Sequence, residues 1–186
     1  MHDLVAITAL GGSEPHVDTV GTVTCTEVPK VALASVAARA GREAEARKAL
    51  EKLIGASAPD VGQFGGDVVS AFWTGPDQWM VEAPFDTHEE LAHPTKDCVG
   101  HTASVSEQTD AWTRFDLEGT DVRAALELLC NLNCQKMGAG ETARTSIHHL
   151  GCFVLCRSTG LFSLYGPRSS AGSLHHAIVA AMKSAL

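Results

Sequence analysis

The most informative segment of the sequence is Phe72-Trp73-Thr74-Gly75-Pro76-Asp77-Gln78-Trp79-Met80. Its centre, Gly75-Pro76-Asp77, is a turn signal, because proline presets the φ angle of a turn and glycine and aspartate are frequent turn residues. The flanking residues 67–73 and 79–83 predict the two strands of a β-hairpin. Two tryptophans border the turn. We favour the interpretation that they form a cross-strand pair that stabilises the hairpin. They could also provide an aromatic surface for a ligand or partner, and the two roles are compatible.

Upstream of the hairpin, the sequence predicts one strand and two helices. Residues 20–28 are rich in valine and threonine, which favours a strand. Apolar residues within 33–40 follow the i, i+3, i+4, i+7 spacing of an amphipathic helix, and Gly41 ends it. Residues 46–53 repeat this spacing, so a second helix is expected to end at Gly55.

Downstream, short strands and helices alternate, and residues 85–96 predict a short helix or a loop. The remaining predicted elements are strands at 101–106 and 112–117, a helix opened by Gly119-Thr120, strands at 142–148, 153–157 and 161–165, and a last helix capped by Ser169 or Ser170. Because hairpins stand between the helices, this order indicates an α+β fold of layered sheets with packed helices.

The length of 186 residues suits one domain. Residues 1–19 are polar and interrupted by glycine and proline, so we expect an irregular N-terminal arm. We expect residues 20–186 to form a single compact domain, either undivided or composed of two fused α+β halves that meet near residue 100.

Composition excludes several classes of partner. The formal charge of −8 disfavours nucleic acid and anionic membranes. The sequence has no apolar run of about 18 residues and no basic, apolar start, so we expect a cytoplasmic protein with reduced thiols. Aromatic residues make up only 5%, whereas alanines crowd residues 32–40. Since alanines bury little area, this stretch and residues 1–19 are expected to lend surface to a partner.

The second half contains cysteines and histidines that could bind a metal ion. Cys130 and Cys134 have a spacing found among zinc ligands, as do Cys152 and Cys156, and His148-His149 lies between the pairs. On one strand, however, the second pair would lie about 13 Å apart, which is too far for one ion. A buried thiol also serves as a small apolar side chain. No cysteine has the local signature of a nucleophile.

Two further motifs do not predict a site. His175 and His176 are adjacent on the last helix, so their rings point about 100° apart and are not expected to share a ligand. The loop Gly62-x2-Gly65-Gly66 lacks the Lys-Ser/Thr that follows a phosphate-binding loop. We therefore predict that this chain contains no catalytic, cofactor-binding or metal-binding residues.

Five segments together carry a family resemblance. They are the hairpin segment 72–80, Val105-Ser106-Glu107, Arg114-Phe115-Asp116-Leu117-Glu118-Gly119, Ala143-Arg144-Thr145 and Arg168-Ser169-Ser170-Ala171. In order and spacing they resemble the gamma subunit of heterotetrameric sarcosine oxidase, whose corresponding motifs are Trp-x-Gly-Pro-Asp-Glu-Trp-Leu, Val-Ser-Asp, Arg-x-x-Leu-x-Gly, Ala-x-Thr and Arg-Ser-x-Ala. The resemblance covers about residues 28–183. This sequence departs from the family at Gln78, where glutamate is common, and at Asn133-Cys134-Gln135, where an Asp-rich run is usual.

The resemblance implies a fold similar to the folate-binding module of the glycine-cleavage aminomethyltransferase. It implies a small non-catalytic subunit that assembles with alpha, beta and delta subunits. The complex oxidatively demethylates sarcosine to glycine, with hydrogen peroxide and methylene-tetrahydrofolate as products of this one-carbon metabolism. FAD, FMN, NAD and tetrahydrofolate are implied in the partner subunits, not in this chain. Structural or interface roles are implied for the motif residues Trp73, Gly75, Pro76, Trp79, Arg114, Gly119, Thr145, Arg168 and Ser169.

Two alternatives remain open at this point. One is a stand-alone protein of the same fold that binds tetrahydrofolate or transfers aminomethyl groups. Against it, the Lys-Gly-Cys-Tyr type of signature found in folate-binding relatives is missing, and Leu132-Asn133-Cys134-Gln135-Lys136 is only a faint match. The other is an interaction module with no connection to sarcosine.

Overall fold

The structure is a computed structural model and describes residues 5–186. In chain order its strands and helices are β1 (Val17–Val20), β2 (Val23–Glu27), β3 (Val31–Ala38), α1 (Glu43–Ile54), β4 (Phe64–Gly66), β5 (Ser70–Gly75), β6 (Gln78–Pro84), α2 (Phe85–His88), α3 (Ala92–Val99), β7 (Ala103–Glu107), β8 (Trp112–Gly119), α4 (Val122–Leu129), β9 (Glu141–Ile147), β10 (Leu150–Ser158), β11 (Leu161–Pro167) and α5 (Ala171–Ala185). Short 3-10 turns lie at Cys134–Lys136 and Arg168–Ser170. The predicted α+β fold of layered sheets with packed helices is confirmed.

The described chain divides into two compact units. Unit 1 comprises residues 5–29, 110–139 and 143–186, and unit 2 comprises residues 30–109 and 140–142. Each unit contains its own sheet and its own apolar core. Unit 2 is therefore inserted into the sequence of unit 1.

Unit 1 is built on a six-stranded sheet with the order β1-β2-β8-β11-β10-β9. Strand β8 contains the predicted strand 112–117, and its residues alternate, since Phe115 and Leu117 are fully buried while Arg114 and Asp116 lie on the opposite face. Helices α4 and α5, both predicted from the sequence, supply the other half of this core through their apolar stripes. Ser170 stands at the N-cap of α5, as expected, but its side chain makes no capping hydrogen bond.

Unit 2 is built on a five-stranded sheet with the order β4-β5-β6-β3-β7. The predicted hairpin is present as β5 and β6, with Trp73 directly opposite Trp79. Asp77 has a φ of 51°, a left-handed turn conformation that aspartate tolerates better than most residues. The predicted helix over 46–53 is α1, and Gly55 ends it in the left-handed conformation at φ 67°.

The prediction of a helix within residues 33–40 is wrong, because residues Val31–Ala38 form strand β3. This strand pairs antiparallel with β6 on one side and with β7 on the other. Apolar residues occupy every position of β3 except Ser35, and Ala32, Leu33 and Ala34 are all buried. Such a run lacks the two-residue alternation of a half-buried strand, so its apolar spacing was mistaken for that of a helix.

The expectation that the alanines of 32–40 lend surface to a partner requires correction for Ala32 and Ala34, whereas Ala40 is exposed. Ala32 and Ala34 have no exposed surface and belong to the core of unit 2. Their small side chains let α1 approach the sheet through Ala46 and Leu50, both of which are fully buried. Alanine is abundant here because the interior is tightly spaced.

The N-terminal segment is partly described. Residues 1–4 lie outside the described residues, and residues 5–16 contain neither helix nor strand. Residues 17–19, expected to belong to the irregular arm, instead form β1 together with Val20, and this strand pairs with β2 in a hairpin. Across residues 5–186, no helix combines the length and the apolar character needed to cross a membrane.

Candidate functional site

The hairpin tryptophans differ in their surroundings. Trp79 is 1% exposed, and its indole Nε1 donates a hydrogen bond to the carbonyl oxygen of Pro59 at 2.8 Å. The guanidinium of Arg47 lies over the Trp79 ring, 5.5 Å from its centroid. Trp73 is partly exposed. Since the ring of Trp79 is enclosed by its own unit, it contributes packing to the core rather than a wall of a ligand site.

The turn of the hairpin is open to solvent. Pro76 and Asp77 are exposed, whereas Gly75 is buried. The backbone N–H of Ala38 donates to the carbonyl oxygen of Asp77 at 3.0 Å. The turn is thus joined to the neighbouring strand β3 by a backbone hydrogen bond, while the side chains of Pro76 and Asp77 remain exposed to solvent.

A network of charged and hydroxyl groups lies on the face of the unit 1 sheet opposite the α4–α5 core. Arg114 donates two hydrogen bonds of 2.7 Å to the carboxylate of Asp116. The same carboxylate accepts a hydrogen bond of 2.6 Å from the hydroxyl of Ser163. The Ser163 hydroxyl oxygen in turn accepts a hydrogen bond of 3.0 Å from Nε of Arg157. Ser163 is fully buried, and the side chains of Arg114 and Asp116 are only 18% and 19% exposed. Paired in this way, the charges are compatible with their burial.

The strand-to-helix turn at Gly119 is defined by close backbone packing. Gly119 has a φ of 155°, and a Cβ atom there would lie 2.0 Å from the carbonyl oxygen of Thr22. Its N–H donates to the carbonyl oxygen of Gly160 at 2.9 Å. An open surface groove of about 460 Å³ lies at this turn, lined by Glu118–Thr120 and Ser158–Gly160. Its lining is small and polar, with a single carboxylate.

The last motif residues connect segments of unit 1. The hydroxyl of Thr145 donates to the amide oxygen of Asn131 at 3.0 Å. Nη2 of Arg168 donates to the carbonyl oxygen of Ile7 at 3.2 Å, which joins the start of the last helical segment to the N-terminal segment. Ser169 is exposed beside it.

All six cysteines are thiols, and burial separates them from the neighbouring histidines. Cys152 and Cys156 have no exposed surface, whereas His148 and His149 are exposed in the turn between β9 and β10. The side chains of Cys130 and Cys134 are hydrogen-bonded to each other, which lowers the pKa of Cys130 and raises that of Cys134. Within residues 5–186, none of these side chains joins a group of three converging metal ligands.

Three side chains that do converge lie elsewhere in unit 1. Nε2 of His175 is 2.7 Å from Oδ2 of Asp18, and Nε2 of His16 is 3.0 Å from the same oxygen. The three ligand atoms lie within 4.8 Å of one another. We call His16, Asp18 and His175 the His-Asp-His cluster.

Sequence reasoning missed this cluster for two reasons. Residues 16–18 fall in the predicted irregular arm, where the His-x-Asp spacing, which in an extended strand places two side chains on one face, predicts no site. In the sequence His175 stands beside His176, whereas its partners in the structure are more than 150 positions away.

Cys25 lies opposite Asp18 in the β1–β2 register and is 1% exposed. Burial, reinforced by the nearby carboxylates of Asp18, Asp116 and Glu27, raises the pKa of Cys25 to about 12. Cys25 therefore remains a neutral thiol at physiological pH.

Comparison with solved structures confirms the expected relationship in fold. The chain is similar to a chain of heterotetrameric sarcosine oxidase from Corynebacterium sp. U-96, determined in complex with pyrrole 2-carboxylate, with a TM-score of 0.74 and 21% identity over 90% of this chain and 87% of that chain. It is also similar to glycine cleavage system aminomethyltransferase T from Bartonella henselae, with a TM-score of 0.65 and 13% identity over 87% of this chain and 46% of that chain.

The other two comparisons found no relatives: no family model and no curated protein matches the sequence. At identities of 21% and 13%, the structural likeness establishes the fold alone. The chain corresponds to nearly all of the oxidase chain but to less than half of the aminomethyltransferase chain.

Proposed function

We propose that this chain is a small non-catalytic subunit of a heterotetrameric sarcosine oxidase. In the complex it would assemble in the cytoplasm with alpha, beta and delta subunits, which bind FAD, FMN, NAD and tetrahydrofolate and oxidatively demethylate sarcosine. The observation that carries the proposal is the match in fold over 90% of this chain and 87% of a chain from an enzyme of that name. A domain inside a larger protein would cover much less of its relative.

The structural contacts of the motif residues are consistent with this role. Trp79 packs inside unit 2, Gly119 permits a close backbone approach, and Arg114 binds Asp116 within a network that includes a buried serine. These contacts hold strands and turns in place. A subunit that contributes shape to an assembly needs such contacts, whereas a catalytic subunit needs reactive groups aimed into a cleft.

Co-expression tests the proposal directly. A tagged form of this chain is produced together with the alpha, beta and delta subunits of a heterotetrameric sarcosine oxidase from the same organism, and in parallel the three subunits are produced without it. We expect the tag to recover all four chains in equal amounts. We expect the preparation without this chain to lose sarcosine-dependent hydrogen peroxide production at a lower temperature. Full activity and stability of the three subunits alone, with this chain left unbound, would contradict the proposal.

The similarity to an aminomethyltransferase supports a second candidate function. A stand-alone protein of this fold could bind tetrahydrofolate or transfer aminomethyl groups, and the TM-score of 0.65 is the observation in its favour. Calorimetric titration of the isolated chain with tetrahydrofolate separates the two proposals. A Kd of about 1 μM, equivalent to about −8 kcal/mol, would favour the second function. The first function predicts no heat of binding at such concentrations.

A further inference from the structure

The His-Asp-His cluster brings together three potential metal ligands, two imidazoles and one carboxylate, at one point of unit 1. The two imidazole Nε2 atoms approach the same carboxylate oxygen from His16 at 3.0 Å and from His175 at 2.7 Å. The two rings meet edge to face, with centroids 4.9 Å apart. Asp18 therefore lies between two nitrogen atoms that both point at it.

The scaffold holds each of these side chains. The backbone N–H of His16 donates to Oε2 of the buried Glu27 at 3.2 Å, and Asp18 is paired with Cys25 in the β1–β2 ladder. His175 stands on α5, with its ring centroid 5.7 Å from that of the fully buried Phe115. Because the β1–β2 hairpin holds Asp18 and helix α5 holds His175, the folded structure fixes the arrangement of the cluster.

The ligand set and its spacing suit one class of ion. Zn²⁺ prefers imidazole nitrogen and carboxylate oxygen at about 2.0–2.2 Å in a tetrahedron, whose corners are then roughly 3.3 Å apart. The three ligand atoms here lie within 4.8 Å of one another, so small side-chain rotations bring them to that spacing. Three protein ligands leave a fourth position, and the partly exposed His16, with 53% of its side chain accessible, opens the cluster to solvent.

We propose that His16, Asp18 and His175 form a binding site for a divalent transition-metal ion of the Zn²⁺ class, which cross-links the start of β1 to α5. This site replaces the expectation from the sequence that the chain contains no metal-binding residues. It does not depend on the proposed role in an oxidase. Without an ion, the carboxylate of Asp18 accepts hydrogen bonds from the imidazole N–H groups of His16 and His175 in the same arrangement.

The test uses the full chain after treatment with a chelator. Zn²⁺ affinity is measured by competition with a chromophoric chelator for the wild type, for His175→Ala and for Asp18→Asn. His176→Ala is the matched control, because His176 is exposed on the same helix and lies outside the cluster. We expect wild type and the control to bind one equivalent with equal affinity. Both cluster variants should bind about 100-fold more weakly, since even outer-shell partners of a metal ligand contribute about 10- to 100-fold.

Six thiols and the other histidines compete for Zn²⁺, so a second measurement identifies the ligands. Co²⁺ bound by nitrogen and oxygen gives visible d–d absorption without the intense near-ultraviolet charge-transfer band of Co²⁺ bound by thiolate. We expect the wild type to show the first spectrum and His175→Ala to lose it. Equal Zn²⁺ affinity in all four proteins would overturn the proposal, as would a thiolate band in the wild type at one equivalent of Co²⁺. The wild-type spectrum still decides if a variant does not fold.

Discussion

At Gly119 the backbone of β8 approaches strand β2 so closely that a side chain has no room. A Cβ atom would lie 2.0 Å from the carbonyl oxygen of Thr22, which as a backbone atom cannot swing aside. We expect Gly119→Ala to lower the free energy of unfolding by about 1–3 kcal/mol, because the strand or the turn must shift to relieve the overlap. Urea denaturation followed by far-ultraviolet circular dichroism measures the change.

Gly172 provides the matched control in the same unit. It lies in α5, its φ is not positive, and a Cβ atom there would meet nothing within 4 Å. We expect Gly172→Ala to raise the free energy of unfolding by about 0.5 kcal/mol, since alanine loses less backbone entropy on folding. If both variants were as stable as the wild type, the close approach at Gly119 would not constrain the fold.

The pKa of the Cys130 thiol depends chiefly on one neighbour, Cys134. The hydrogen bond from Cys134 lowers the pKa of Cys130, whereas burial raises the pKa of Cys152 to about 11. Only the thiolate is nucleophilic, so we expect iodoacetamide at neutral pH to alkylate Cys130 faster than Cys152. Peptide mass spectrometry after timed quenching gives both rates.

A variant isolates the cause of this reactivity. Cys134→Ala removes the hydrogen bond, so the pKa of Cys130 rises towards its ordinary value and its alkylation at neutral pH slows. Cys25→Ala is the control, because Cys25 is buried and is not among the groups that shift the pKa of Cys130. An unchanged rate in Cys134→Ala would show that Cys134 does not stabilise the thiolate.

Among the elements, prediction from sequence succeeded where apolar residues recur with a clear period and failed where nearly every residue is apolar. Strand β8 and helix α4 each present a regular apolar face to one core, so their type could be predicted from the sequence. Strand β3 is apolar at every position except Ser35, so its residues carry no period that separates strand from helix. Only the pairing with β6 and β7 decides this element, and that pairing is a property of the folded chain.

The candidate sites were predictable to a similar extent. The turn at Gly75-Pro76-Asp77 has its own local sequence signal, and the structure contains it. The Asp116–Ser163 bond and the meeting of Asp18 with His175 join positions that are 47 and 157 residues apart. Such contacts depend on strand order, which periodicity does not provide.

Glu27 anchors the N-terminal segment to strand β2. It is 2% exposed, and its two carboxylate oxygens accept the backbone N–H groups of Leu10 at 3.0 Å and His16 at 3.2 Å. We expect Glu27→Ala to speed amide exchange at both positions by about tenfold or more, since a hydrogen bond to a charged group contributes about 1.5–3 kcal/mol. Hydrogen exchange monitored by NMR measures the exchange rates of the Leu10 and His16 amides.

The control for this anchor is Glu14→Ala, which removes an exposed carboxylate from the same segment. Exchange at Leu10 and His16 should then match the wild type. Fast exchange of both amides in the wild type itself would mean that Glu27 does not hold the segment.

For the molecule as a whole, the fold is shared with a solved structure although the sequence identity is low. The sequence shares 21% of aligned residues with the oxidase chain and no family model matches it, yet the TM-score is 0.74. Buried positions tolerate many apolar side chains of similar volume, so a core pattern outlasts the residues that fill it. Turns such as Gly119, where a backbone atom excludes every side chain, tolerate fewer changes.

If the chain is a subunit, its N-terminal segment is the surface that we expect to contact the large flavin-bearing subunit. Val5 and Ile7 are 76% and 61% exposed although apolar, and Arg168 of the family motif holds this segment through the carbonyl oxygen of Ile7. The double variant Val5→Ser with Ile7→Ser should leave thermal unfolding of the isolated chain unchanged, since exposed side chains contribute little to stability. It should weaken association by at least about tenfold, because burying one such side chain contributes about 1.5–3 kcal/mol.

Val61→Ser with Val68→Ser is the matched control for this prediction, because these valines are 75% and 58% exposed in unit 2. Co-purification of each variant with the alpha, beta and delta subunits gives the comparison, and titration of the tagged chain gives the fold-change. Weak recovery with the N-terminal variant and full recovery with the control would assign the contact to residues 5–7. The reverse result would move it to unit 2, where the exposed end of the hairpin at Pro76 is then the next surface to test.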